Sequence, residues 1–158
     1  MTRAEFVATT AATVLLFGLS IRKSGAAGFE VTHTDEQWRA LLGSARYEIL
    51  RQGGTEPPFS SGLIGETRPG IYRCAGCDLA LFSSKQKYDS GDGWPSFWQV
   101  LPDATRTQAD YALVEKRTEV HCRRCGGHLG HIFDDGPPPT HLRYCIDGLA
   151  LRFVPGAA

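Results

Sequence analysis

The sequence predicts a mainly β fold: an antiparallel β domain with short N-terminal helices and a structural metal site. Three observations predict it. From Gly70 onward, short runs of β-favouring residues alternate with turn signals such as Asp89-Ser-Gly-Asp-Gly93 and Asp134-Asp-Gly-Pro-Pro-Pro139. Glycine and proline number 18 and 9 in 158 residues, which suits many turns rather than long helices. Two C-x-x-C pairs, Cys74/Cys77 and Cys122/Cys125, each leave one of these runs. A length of 158 residues supports one domain with a single core.

The first 26 residues stand apart. Arg3 precedes an apolar stretch from Phe6 to Ile21, followed by Arg22-Lys23 and small residues from Ser24 to Gly28. Ser24 and Ala26 fit the −3 and −1 positions of a secretory signal peptide, so residues 1–26 are expected to be cleaved and residues 27–158 to form the mature domain. The apolar stretch is shorter than the roughly 20 residues of a membrane span. Export is the expected outcome, to the periplasm if the host is a Gram-negative bacterium. A cytoplasmic protein, or one anchored by an uncleaved N-terminus, is the alternative.

Thr34 and Gln37 form a capping box, and Trp38, Leu41 and Leu42 follow at helical spacing. A second short helix is expected from Ser44, with Tyr47, Ile49 and Leu50, ending at Gly53-Gly54. Strands are expected at Ile71–Cys74, Ala80–Phe82, Ala112–Arg117, Glu119–Cys122, His128–Phe133, Leu142–Ile146 and Leu149–Val154. The formal net charge is +0, and no basic stripe alternates with aromatics, which argues against a nucleic-acid partner.

The cysteines carry the chemistry. A two-residue spacer lets both sulfurs of a pair face one point, and two pairs supply the four thiolates of a closed tetrahedral Zn²⁺ shell. Cys74, Cys77, Cys122 and Cys125 are therefore expected to hold one structural zinc per chain. Two disulfides are the rival reading in an oxidising compartment. The fifth cysteine, Cys145, needs its own explanation. It could be a buried core residue. Arg143, two residues away on the same strand face, could instead raise its thiolate fraction. His128 and His131 offer imidazoles for proton transfer. Trp94, in the glycine-rich turn Gly91–Phe97, could form an apolar binding wall.

Gly93-Trp-Pro-Ser-Phe97, Arg117-Thr-Glu-Val120, His128-Leu-Gly-His-Ile-Phe133 and Leu142-Arg-Tyr-Cys-Ile146 together resemble the B-type peptide-methionine (R)-S-oxide reductases, and both C-x-x-C pairs fall where that family's zinc cysteines fall. The resemblance spans about Thr34 to Val154. It implies two antiparallel sheets rolled into a partly open β structure. It also implies a thiol-dependent oxidoreductase of protein repair under oxidative stress, acting on peptides or proteins that contain methionine-R-sulfoxide. Cys145 matches the nucleophile, His128 and His131 the proton donors, and Arg143 the arginine that helps activate the thiolate. Trp94 matches the residue that holds the substrate methyl group, and Phe133 is expected to line the same pocket.

Two positions depart from the family. Asp92 stands where many members carry a resolving cysteine, and no sixth cysteine replaces it. A sulfenic acid on Cys145 is therefore expected to be reduced by an external small thiol or a thioredoxin-like partner. Asp147-Gly148 replaces the usual Asn-Ser, and an ionised carboxylate there would oppose thiolate formation. The competing function is a non-catalytic zinc-binding β interaction module with Cys145 as core. A Cys–His hydrolase fits less well, because no oxyanion feature stands out.

Overall fold

The computed structural model describes residues 28–113 and 115–158. The expected signal peptide, 1–26, lies outside the described residues. The described residues begin with a helix, α1 (Asp35–Gln52), capped as its sequence dictates: the Thr34 hydroxyl accepts from the Gln37 amide at 3.3 Å, and the Gln37 side chain accepts from the Thr34 amide at 2.9 Å. The two expected helices are the two halves of α1, joined at Gly43, whose φ of 69° and ψ of 171° are not helical. The break rotates the second half, which buries Tyr47, Ile49 and Leu50 while Leu41 stays 58% exposed. Gly53 ends the helix in the left-handed conformation.

Nine strands follow among the described residues: β1 (Gly70–Cys74), β2 (Ala80–Ser83), β3 (Lys87–Tyr88), β4 (Ser96–Phe97), β5 (Thr105–Asp110), β6 (Arg117–Cys122), β7 (His128–Phe133), β8 (Arg143–Ile146) and β9 (Leu151–Pro155). They form two antiparallel sheets, one ordered β2-β1-β9 and the other β3-β4-β8-β7-β6-β5. Aromatic side chains join the sheets. Phe82 of β2 stacks on Phe97 of β4 with centroids 4.3 Å apart, and Tyr72 of β1 meets Phe97 edge-on at 4.9 Å. All three are fully buried, so this cluster is the centre of the core.

The strand expected at Ala112–Arg117 is corrected. The real strand is β5, which pairs with β6 from Thr105↔Cys122 to Asp110↔Arg117, and the chain between Asp110 and Arg117 closes the hairpin. In the closing segment Tyr111 and Leu113 are 71% and 59% exposed. β5 reads Thr-Arg-Thr-Gln-Ala-Asp because it is an outer strand with little burial on either face, and no apolar alternation marks it. The last strand begins at Leu151 rather than Leu149, because Gly148–Ala150 forms a 3₁₀ turn.

The two C-x-x-C turns are built alike. The Cys74 amide donates to the Leu79 carbonyl at 2.8 Å and the Asp78 amide to the Cys74 carbonyl at 2.9 Å. In the second turn the Cys122 amide donates to the Gly127 carbonyl at 2.8 Å and the Gly126 amide to the Cys122 carbonyl at 2.9 Å. Each turn needs a left-handed residue four positions after its first cysteine. Gly126 supplies it at φ 67° and Asp78 at φ 61°. α1 packs over both turns: the Arg51 guanidinium donates to the Cys125 carbonyl at 2.9 Å and lies 4.8 Å from the Trp38 ring centroid.

Candidate active site

The four paired cysteines meet. Their sulfurs all lie within 4.8 Å of one another, with Cys74–Cys125 at 3.7 Å and Cys77–Cys122 at 3.5 Å. All five cysteines of the chain are free thiols, so the two-disulfide reading does not describe this arrangement. A tetrahedron with metal–sulfur bonds of about 2.3 Å has edges of about 3.8 Å, close to the two separations. The crowding splits the ionisation of the set. Hydrogen bonding to Cys122 pushes the Cys74 thiol up, while bonds from Cys125 and Cys74 push Cys122 down. Such a cluster fits a metal cation, and its closed shell leaves no open position for a reacting water.

Cys145 lies elsewhere, in the middle of the larger sheet. β8 places it opposite Ser96 of β4 on one side and opposite His131 of β7 on the other. Gly130 makes the β7–β8 approach feasible: at φ 147°, an added Cβ would sit 2.1 Å from the Cys145 carbonyl oxygen. The sulfur borders a cavity of about 130 Å³ lined by Thr55, Trp94, Arg117, Gly130, His131, Phe133, Cys145 and Asp147. Four residues singled out in the sequence, Cys145, His131, Trp94 and Phe133, thus come together around one hollow. The lining is mostly apolar with a few convergent polar groups, the usual character of a small-molecule site.

Trp94 is fixed from both ends. Its indole Nε1 donates to the Glu56 carbonyl at 3.1 Å, and its amide donates to Asp92 Oδ1 at 3.2 Å. The loop that carries it passes so close to Pro58 and Phe59 that a Cβ on Gly93, at φ 98°, would lie 2.8 Å from Pro58 Cβ. Only glycine fits there without displacing that neighbour.

The histidines differ in position. His131 faces the cavity, and its Nε2 is 2.8 Å from Asp110 Oδ2, which also accepts from Arg117 Nη2 at 2.7 Å. Burial pushes the His131 pKa below its usual value, partly countered by the bond to Asp110. His128 sits behind, its ring centroid 5.5 Å from that of His131. Its Nδ1 is 2.7 Å from Glu119 Oε1, and its Nε2 is buried with no hydrogen-bond partner among the described residues, 3.7 Å from Asp147 Oδ2. Burial works to raise the Glu119 pKa, but His128 and Gln108 hold it below the usual carboxylate range.

Arg143 reaches away from the cavity. It forms a two-point pair with Asp135, Nε–Oδ1 and Nη2–Oδ2 both at 2.8 Å. Its Nη1 bonds Asp92 Oδ2, and its guanidinium lies 4.4 Å from the Phe133 centroid. Its charge favours the Cys145 thiolate, but other groups outweigh it. Burial first, and the Asp92 carboxylate second, push the Cys145 thiol up to about 12, with Arg143 working the other way. Asp147 is 3% exposed, accepts from the Glu56 amide at 2.9 Å, and is pushed up to about 6, chiefly by burial.

Asp110, Glu119, Arg117 and Glu56 were not given roles from the sequence. Arg117 and Glu119 fall inside a recognised block, so their place in it was the available signal. Asp110 and Glu56 carry no such mark. The buried Glu56 carboxylate accepts from the Gly148 and Leu149 amides at 2.5 and 3.0 Å, which pins the segment after Cys145.

The SelR domain family model matches residues 42–155. The peptide methionine sulfoxide reductase MsrB of Pseudomonas entomophila (strain L48) is 49% identical over 127 residues, covering 80% of this chain and 97% of that protein. The MsrB of Agrobacterium fabrum is 49% identical over the same share of this chain and 94% of its own. That of Thioalkalivibrio sulfidiphilus is 52% identical over 121 residues, covering 76% and 88%. With this match running from α1 through β9, across the sulfur cluster and the Cys145 cavity alike, the chain belongs to the SelR family of MsrB-type peptide methionine sulfoxide reductases.

Proposed function

We propose that the protein reduces methionine-R-sulfoxide in peptides and proteins to methionine, with Cys145 as the nucleophile and the oxygen acceptor. The observation that carries the proposal is the meeting of Cys145, His131, Trp94 and Phe133 around one cavity, in a chain of this family. The cavity is small, about 130 Å³, which suits a methionine side chain presented by a peptide.

Trp94 and Phe133 receive the S-methyl end and orient the sulfoxide sulfur toward Sγ. The Cys145 sulfur attacks that sulfur while His131 protonates the oxygen; the sulfoxide S–O bond then breaks as the protonated oxygen passes to Sγ, and the Sγ–sulfur bond breaks as methionine departs. Asp110 holds the His131 ring, and Arg117 holds Asp110. His128, bonded to Glu119, backs His131 rather than facing substrate. The products are methionine and a Cys145 sulfenic acid.

The other four cysteines sit in the sulfur cluster, and the sequence has no sixth. An external thiol, small or thioredoxin-like, therefore reduces the sulfenic acid: two thiols become a disulfide, and the oxygen leaves as water. The cluster of Cys74, Cys77, Cys122 and Cys125 holds structural Zn²⁺, which ties the β1–β2 and β6–β7 turns together. Residues 1–26, with their apolar stretch and small −3 and −1 residues, serve as an export signal. Mass spectrometry of protein from its native host tests this, and an intact Met1 would refute cleavage.

The test of function is turnover of a racemic methionine-sulfoxide peptide with excess dithiothreitol. Disappearance of the R epimer alone supports the proposal. Consumption of neither epimer by folded, zinc-loaded protein would leave the zinc-binding interaction module as the better reading.

A further inference from the structure

The Cys145 thiol must lose its proton as its sulfur attacks, yet neither histidine is hydrogen-bonded to it. His128 Nδ1 is engaged with Glu119 and His131 Nε2 with Asp110. The side chain that meets the sulfur is Asp92, whose Oδ2 lies 3.6 Å from Sγ in position to accept the S–H. Asp92 is held there from several directions. Its Oδ2 also accepts from Arg143 Nη1, while its Oδ1 accepts from the Ser90 hydroxyl at 2.6 Å and the Trp94 amide at 3.2 Å. Ser90 in turn is 2.8 Å from the Ser96 hydroxyl, on the residue paired with Cys145 across β4 and β8. One carboxylate thus ties together the reacting sulfur, the arginine beside it and the tryptophan of the cavity wall.

We propose that Asp92 is the general base of the sulfoxide-reducing step, its Oδ2 taking the Cys145 thiol proton as Sγ bonds to the sulfoxide sulfur. The step balances. The Cys145 S–H bond breaks, an O–H bond forms on Asp92, and the sulfoxide oxygen gains a proton from His131. As the step completes, the sulfoxide S–O bond breaks, the protonated oxygen bonds to Sγ, and the transient Sγ–sulfur bond breaks to release methionine. The sulfoxide sulfur has then gained the two electrons that the cysteine sulfur has lost. Asp92 is 26% exposed, so its proton passes to water, and His131 is reprotonated in exchange. The arrangement also accounts for a nucleophile that stays a thiol at rest. The same carboxylate that stabilises S–H becomes its acceptor when substrate arrives, so Cys145 does not need to be a standing thiolate.

The inference rests on Cys145 being the nucleophile, and the experiment separates the two. Single-turnover reduction of an R-sulfoxide peptide is measured from pH 6 to pH 10 for the parent, Asp92→Asn and Cys145→Ser. The Asp92→Asn side chain retains an oxygen for Ser90 and the Trp94 amide but cannot take a proton. Without its base the reaction depends on thiolate formed in advance, whose fraction rises tenfold per pH unit below the thiol pKa. The parent-to-Asp92→Asn rate ratio is expected to be about a hundredfold or more near neutral pH, and to shrink steeply as pH rises. The other groups around the sulfur are Arg143, Asp135, Tyr88, Asp147, His131 and Arg117. They are common to both proteins, so their titrations largely cancel in the ratio; loss of the Asp92 charge also lowers the Cys145 pKa, which favours the variant, so a large ratio near neutral pH cannot come from that shift. A ratio near one at neutral pH, or one that does not shrink with pH, would overturn the inference. Activity in Cys145→Ser would overturn the underlying reading as well. Asp92→Ser, which also leaves an oxygen for the Trp94 amide, is read the same way should Asp92→Asn fail to fold.

Discussion

His131 stands directly opposite Cys145 across the β7–β8 ladder, and its imidazole is anchored to Asp110 at 2.8 Å. The pairing register therefore sets the distance between the two side chains to which the proposal gives the roles of acid and nucleophile. Burial lowers the His131 pKa and the Asp110 bond raises it. An acid that must be protonated loses activity as pH rises through its pKa. Asp110→Asn removes the raising influence, so the His131 limb of the kcat profile should move to lower pH, and kcat near neutrality should fall about tenfold or more. A pH profile of the variant checks this; an unmoved limb would take Asp110 out of the mechanism.

Asp147 gives a stability prediction of definite sign. Its carboxyl is buried 3.7 Å from a His128 Nε2 with no hydrogen-bond partner among the described residues, and its pKa is raised from 3.8 to about 6. A raised carboxyl pKa means that the folded protein binds the proton more tightly than the unfolded chain. That stabilisation is full below about pH 4 and is lost as pH rises through about 6. Asp147→Asn keeps an acceptor for the Glu56 amide and carries no charge. It should raise Tm at pH 7 to 8, by up to about 3 kcal/mol in stability, with the gain shrinking toward pH 4. Melting curves at several pH values are the measurement, and a gain independent of pH would contradict the account.

Much of this was legible in the sequence, and the exceptions have physical causes. The capping box, the glycine helix stop and β7 all announce themselves through local rules, since each is fixed by near neighbours in the chain. β5 did not, because an outer strand that is solvated on both faces needs no apolar alternation. The site divides the same way. Cys145, His131 and Trp94 belong to short blocks with recognisable chemistry. Asp110 and Glu56 are brought to His131 and Gly148 only by strand pairing and loop packing, across wide sequence gaps. The contact between Asp92 and Cys145 also required the fold, although the oddity of an aspartate at that position did not.

The sulfur cluster should prove structural. Cys122→Ser is expected to drop the zinc content from about one per chain to near zero, and to lower Tm by about 10 °C or more. Elemental analysis and calorimetry together test it. A variant that lost its metal but kept its Tm would show that the β1–β2 and β6–β7 turns do not need the tie.

Trp94 should act chiefly on substrate binding. Trp94→Ala removes an apolar wall from the cavity and is expected to lower kcat/KM about tenfold to a hundredfold, mainly through KM. Steady-state kinetics decide it. Should kcat alone fall, Trp94 would be aligning the reacting sulfur rather than holding the methyl group.

The most direct test of the central claim is to mix the reduced protein with one equivalent of R-sulfoxide peptide, without any reductant. Cys145 is then read by mass spectrometry after trapping with a sulfenic-acid probe. About one methionine formed per chain, with the probe on Cys145 and no internal disulfide, is the predicted result. Methionine formed with Cys145 unlabelled, or joined to one of the other four cysteines, would contradict the account.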